Sequence, residues 1–517
     1  MLFCRNYSVK SRKATRTVLF CLTMVFLSLL AIVTFLPHIV SLLVSFRDYY
    51  AGIPFLGAEC SGFRNYIDFL TDNNFFLMLK NTLSVSSLCV LFGSGYTFVC
   101  TYGICGVKRR TPRFLLLCLC LLPALLPVEL FTYAFCQLAN LSLPFSLKRL
   151  FEFPKFFTAL HETLVWGSLS ILIGSLPSGY SRRKKALFAA LVFISIRLVL
   201  FASYNLPFLS VIENDLNKAS AEVFSIHAFL ITRLNGNYGY GNAIQVVSSI
   251  FSVIPAVLGF VLLSKLYLNC RRSISAPTDS RRIHPISKLP VLLPVLVLAL
   301  CVGAILLVLF PIYKLDAFDS MLSPKQLHAA SLIIGILYPA VFSAIFLLLA
   351  FMIAYCLSIG KTSVLIMCAV LLFFTSNIPG KFLLFHMTRL TNTPISIFLS
   401  ELPLCLLFAL VLFFSHGKID SMKSPMQFFR RSLPCMLLLF PICYTRIFED
   451  YLSFSIYYTA TTPYALSAYL RSNQLYGHTS VTFLLVCLIP CFIGLICFVF
   501  AGMLRKTNMV QNESSIY

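Results

Sequence analysis

The sequence predicts an all-α polytopic membrane protein with about twelve transmembrane helices. Two observations carry that fold class. Of 517 residues, 59% are hydrophobic and only 11% charged, against about 25% charged in ordinary soluble domains. Mean hydropathy is +0.88, more apolar surface than a soluble fold of this length can bury. The net charge of +23 resembles a nucleic-acid signal, but the basic residues are scattered through short loops between apolar runs. That distribution reads as membrane topology, not as a phosphate-binding face, so no nucleic-acid partner is expected.

A spanning helix needs roughly 20 apolar residues. Runs of that kind lie near 18–45, 82–106, 114–136, 161–178, 186–204, 244–267, 289–313, 330–357, 362–379, 395–415, 432–449 and 480–503. The fourth, ninth and eleventh are the shortest. The first run follows Lys10, Arg12, Lys13 and Arg16. It is too long for a signal-peptide core and lacks a small-residue cleavage site, so it reads as an uncleaved span. With the N-terminus inside, inner segments hold 25 of the 41 Lys and Arg and outer loops hold 13. Arg197, Lys265 and Arg446 fall within spans. The positive-inside rule then places both termini in the cytoplasm.

The clearest break is 269–288, polar and basic, after the sixth span. It divides the chain into halves 1–268 and 289–517, each with six spans in the same orientation, a parallel repeat. Nearly all of the 19 Cys lie inside apolar runs, where Cys acts as a small hydrophobe. Cys60 alone sits clearly in an outer loop. No Cys/His spacing suggests a metal site, and no cofactor is expected.

Ionisable groups inside spans are expensive and point to function. Glu129, Arg197 and Glu401 are the candidate solute-path residues, with His38 and Arg446 beside them. A carboxylate and a guanidinium can line a path for hydroxylated solutes. The plainer alternative is a structural Arg–Glu pair, and for Arg446, near a helix end, pairing or snorkelling is the favoured reading. Pro123 and Pro127 remove backbone donors and kink the third span. The cluster Arg182 to Lys185 reads as a topology anchor rather than a lipid-headgroup site.

The order and spacing of short motifs resemble the permease subunits of type I ABC importers for oligosaccharides, of the maltose and lipo-oligosaccharide type. Leu36-Pro37 with Ser45-Phe46-Arg47-Asp48-Tyr49 looks like the family's first-span exit. Gly62-Phe63-Arg64-Asn65-Tyr66 and Lys80-Asn81-Thr82-Leu83 look like its approach to the second span. Gly236-Asn237-Tyr238-Gly239-Tyr240-Gly241-Asn242-Ala243 resembles the segment before the last span of the lipo-oligosaccharide branch. In the second half, Ala354-Tyr355-Cys356-Leu357-Ser358, Ile378-Pro379 and Leu390-Thr391-Asn392-Thr393 resemble the partner permease.

The resemblance implies a fused permease pair in a bacterial inner membrane, driven by two separate ABC ATPase subunits and fed by an extracytoplasmic solute-binding protein. It also implies a cytoplasmic coupling loop. Ile419, Asp420 and Ser421, followed by Phe428 and Pro434, match that loop's spacing in the second half. Ser421 stands at the family's glycine, and Ser415, His416 and Gly417 stand at its EAA positions. In the first half only Gly179 matches, within a shortened loop. The chain has no G-x-x-x-x-G-K-[ST] motif, so any P-loop ATPase must be a partner.

Three other readings stand beside this one. A membrane scaffold or sensor would keep the fold and explain the altered loops. A lipid-linked glycosyltransferase would use an outer acidic pair such as Asp68 and Asp72. A proton-coupled transporter shares twelve spans but not the motif around Asp420.

Overall fold

The computed structural model describes residues 2–107, 109–127, 154–175, 181–201, 219, 222–233, 235–272, 329–375, 377–391, 393–416, 425–449 and 488–514. Among the described residues the chain is helical, with two isolated β-bridges, Arg47 with Cys60 and Tyr50 with Asn237.

The first half contributes α1 (Leu2–Ser45), α2 (Arg64–Leu70), α3 (Phe75–Gly106), α4 (Arg110–Leu121), α5 (Pro154–Ser175), α6 (Arg182–Val199), α7 (Phe224–Arg233) and α8 (Tyr238–Arg272). A 3-10 turn, Leu122–Leu125, extends α4 where Pro123 removes a backbone donor. The second half contributes α9 (Ala329–Ser358), α10 (Thr362–Phe373), α11 (Ile378–Met387), α12 (Pro394–Glu401), α13 (Leu404–His416), α14 (Pro425–Phe448) and α15 (Ile489–Ser514). The last turn of α8 runs into the predicted linker, whose remainder lies outside the described residues.

Five helices are long and apolar enough to cross a membrane, and up to seven spans result if each bent pair counts once. The five match the first, second, sixth, eighth and eleventh predicted spans. The ninth is not one straight helix, because α10 and α11 meet at 92°. Asn377 caps α11 by accepting from the Gly380 amide at 2.8 Å, with Pro379 in the first turn. That is a helix start, so the chain turns there. The tenth is broken by 40° between α12 and α13. The described parts of the third and twelfth are short apolar helices, and the seventh lies outside the described residues. Helices α5 and α6 coincide with the fourth and fifth, but their polar groups put them outside the apolar class: His161 and Glu162 on α5, and Arg182 to Lys185 with Arg197 on α6. Twelve spans therefore remain a sequence expectation, while a multi-pass helical membrane protein fits the described helices.

The outer surface explains why these helices need a bilayer. On α1, Leu22, Val25, Leu29, Ile32, Leu36 and Ile39 are all exposed. Their spacing of three and four keeps them on one face. Ile254 and Leu258 on α8, and Phe492 and Ile496 on α15, are likewise more than half exposed. Such continuous apolar faces are unfavourable in water and expected against lipid. At 44 residues and 1.5 Å per residue, α1 is about 66 Å long, so it must project beyond a hydrocarbon core of roughly 30 Å.

The halves interlock. Helix α1 packs on α8 of its own half and on α9, α10 and α11 of the other, and α5 packs on α13. At one end of α1 two of the quoted motifs join. Tyr49 carbonyl oxygen accepts from the Tyr238 and Gly239 amides at 2.8 and 3.1 Å. A Cβ on Gly239 would stand 2.1 Å from the Arg47 carbonyl oxygen, so only glycine allows this approach.

Candidate functional site: a buried polar band between the halves

Helix α5 brings two neighbouring ionisable residues into the bundle. Glu162 and Arg197 of α6 form an ion pair at 3.5 Å, with side-chain exposures of 2% and 3%. Trp166 Nε1, one turn along α5, donates to Glu162 Oε2 at 2.7 Å. A buried charge is tolerated only when it is paired and hydrogen-bonded, and this carboxylate is both. His161, one residue earlier, is also buried and lies within electrostatic range of Arg446 on α14. Arg446 Nη1 in turn meets Glu449 Oε1 at 2.5 Å, again with both side chains buried.

The result is two buried ion pairs, one between α5 and α6 in the first half and one at the end of α14 in the second, with His161 of α5 in the field of Arg446. In the predicted topology these residues all lie toward the outer ends of their helices. Beside the first pair a small cleft of ≈ 20 Å³, about the room of one water molecule, is lined by Trp166, Ser170, Phe193, Arg197, Leu407 and Val411, among others. The first four come from α5 and α6, the last two from α13, so this cleft lies between the halves.

A second polar seam joins α1, α8 and α11. Ser41 Oγ donates to Asn242 Oδ1 at 2.6 Å, and Asn377 Nδ2 donates to Ser41 Oγ at 2.9 Å. All three side chains are buried. The backbones are close, since a Cβ on Gly380 would stand 2.2 Å from the Pro37 carbonyl oxygen. Nearby, His38 Nε2 lies 3.1 Å from the Phe374 carbonyl oxygen, and buried Lys381 donates to the Ser400 carbonyl oxygen at 3.3 Å.

Of the predicted path residues, Arg197 lies in the band and lines the cleft. Glu401 is half-buried at the C-terminal end of α12, by the bend into α13. Glu129 lies outside the described residues. Arg446 takes the pairing alternative rather than snorkelling: the end of α14 is buried, and Glu449, three residues on, holds the charge inside. Glu162 was missed because it sits at the first turn of the predicted fourth span, where a carboxylate reads as a loop residue. The chain's single Trp, four residues on and therefore on the same face, was the available signal.

Of the predicted coupling residues, Gly179, Ile419, Asp420 and Ser421 lie outside the described residues. Phe428 and Pro434 are both on α14, which begins seven residues before the predicted span. Phe428 is fully buried, its ring 5.4 Å from Phe351, 5.7 Å from Tyr355 and 5.5 Å from His416. This end of α14 presents Met426, Gln427, Arg430 and Arg431 outward instead. In the outer loop, Asp68 forms an exposed 3.7 Å pair with Arg64, and Asp72 accepts from the Asn74 amide. Each of the two carboxylates therefore has a local structural partner.

Compared with models of known protein families, and with curated protein sequences, the chain matches none.

Proposed function

We propose that the chain is the membrane-spanning permease of a solute importer, with the solute path between its two halves. The observation that supports this most is the buried band of Glu162, Arg197, His161, Arg446 and Glu449 beside a cleft shared by both halves. Intramembrane ionisable groups facing a bundle interior mark solute pathways. The two acid–base pairs neutralise each other, so the lining suits an uncharged polar solute better than an ion. Together with the motif order, this favours a carbohydrate, and specifically an oligosaccharide, imported by an ABC-type system. Two separate ATPase subunits and an extracytoplasmic binding protein would complete it in a bacterial inner membrane, with both termini cytoplasmic. Alternating access would open the seam between halves.

A second reading, a non-transporting scaffold or sensor, is favoured by one observation: Phe428, a matched coupling position, is enclosed by aromatic rings rather than presented to a partner. One experiment separates the two. The tagged full chain is isolated in mild detergent from its own host, with and without Asp420→Ala. The importer reading expects an ABC ATPase, identified by mass spectrometry and by ATP hydrolysis, that is lost from the variant. Absence of any ATPase from the unaltered chain would overturn it in favour of the scaffold.

A further inference from the structure

Two short stretches at one end of the bundle carry an unusual charge. Lys108 and Arg109 precede α4, whose first turn holds Arg110 and Arg113, and Arg182, Arg183, Lys184 and Lys185 form the first turn of α6. No Asp or Glu occurs between 101 and 128 or between 163 and 212. Charges of this kind often point apart into water. Here three of them converge.

Arg113 Nη2 lies 3.8 Å from Cys105 Sγ. Arg182 Nη1 lies 3.1 Å from where a Cβ on Gly106 would stand, so its guanidinium rests on the last turn of α3. Lys185 acts on the same Cys105 thiol, as do the two arginines. All three side chains are half-buried. Burial, followed by the Arg113 charge, lowers the Lys185 ammonium below its ordinary range. The C-terminal carbonyls of α3 offset part of this repulsion, as cations at a helix C-terminus do.

We propose that Arg113, Arg182 and Lys185 form a phosphate-binding site at the end of α3, whose occupant is the headgroup of an anionic phospholipid. The lipid source is favoured by position. The cluster sits at the end of α3, a helix long and apolar enough to span that exposes Leu83 and Leu91 as α1 exposes its apolar face, which is headgroup depth. Phosphate is favoured over carboxylate by its oxygens, which match converging guanidinium and ammonium donors. The inference does not depend on the transport reading, only on a membrane-spanning chain.

The purified full chain in neutral detergent would be titrated with dioleoylphosphatidylglycerol, with dioleoylphosphatidylcholine, and with inorganic phosphate. Native mass spectrometry counts the adducts and thermal unfolding reads the stabilisation. Phosphatidylglycerol is expected to bind at low stoichiometry and stabilise, while phosphatidylcholine does not. Each neutralised cation should weaken binding about fivefold, and R113Q/R182Q/K185Q on the order of a hundredfold. The control R430Q/R431Q, which removes two exposed charges elsewhere, should leave the adducts unchanged. If the triple variant fails to fold, K185Q alone carries the test, with its roughly fivefold loss. Equal phosphatidylglycerol binding by wild type and variant, or equal loss in the control, would overturn the site. Displacement of the lipid by equimolar inorganic phosphate would keep the site but overturn the lipid as its occupant.

Discussion

Replacing Glu162 by Gln removes one charge from the band and keeps an oxygen that can still accept from Trp166. The perturbation therefore isolates the ion pair. At 3.5 Å and an effective dielectric of about 20, the lost attraction is roughly 5 kcal/mol. Leaving Arg197 buried without its counter-charge costs about 3–5 kcal/mol in comparable buried pairs. Adding Arg197→Met removes the stranded charge, so the double variant should recover more than half of the loss. Equilibrium unfolding in mixed micelles reads the stability. Trp166, as the only tryptophan, reports the site directly. Its Nε1–H···carboxylate bond stabilises the polar excited state of the indole, so emission should shift to shorter wavelength in Glu162→Gln. A single-variant loss below about 1 kcal/mol, the scale of an exposed pair, would refute the reasoning. So would a double variant that costs the sum of the two singles.

Two further predictions follow from packing. Asn377→Leu leaves the buried Ser41 hydroxyl short of a partner and removes the α11 cap. It should cost about 1–3 kcal/mol in the same unfolding assay, and Ser41→Ala in that background should cost little more. Phe428→Ala empties a fully buried ring site between α9, α13 and α14 and should cost about 3–5 kcal/mol. The exposed neighbour Met426→Ala should stay within about 0.5 kcal/mol.

The helical membrane class was legible because it rests on composition and run length, which survive any detail of packing. Breaks were less so. The sequence Asn377-Ile378-Pro379-Gly380 carries a cap, a helix-start proline and a glycine, yet its apolar neighbours carried the predicted span straight through it. The glycine has a further role that no local pattern shows: α1 presses on it from the other half of the chain. Arg197 was legible as a costly buried charge, since a guanidinium in mid-span has few solutions. Its partner was not, because pairing between α5 and α6 depends on how two helices rotate against each other. Arg446 shows the converse. Its place near a helix end left pairing and snorkelling open, and only the neighbouring helices, which bury that end, decide for the pair.

The central claim is that the cleft between α5, α6 and α13 belongs to a solute path. The direct measurement is thiol accessibility in intact membranes, in a chain depleted of its own reactive cysteines. Ser170→Cys lines the cleft, and Leu258→Cys, 59% exposed on α8, faces lipid. Thiol reagents attack the thiolate, which needs water or nearby positive charge to form. The account predicts that a small water-soluble reagent modifies position 170 well above position 258. Equal inertness of the two positions would contradict it.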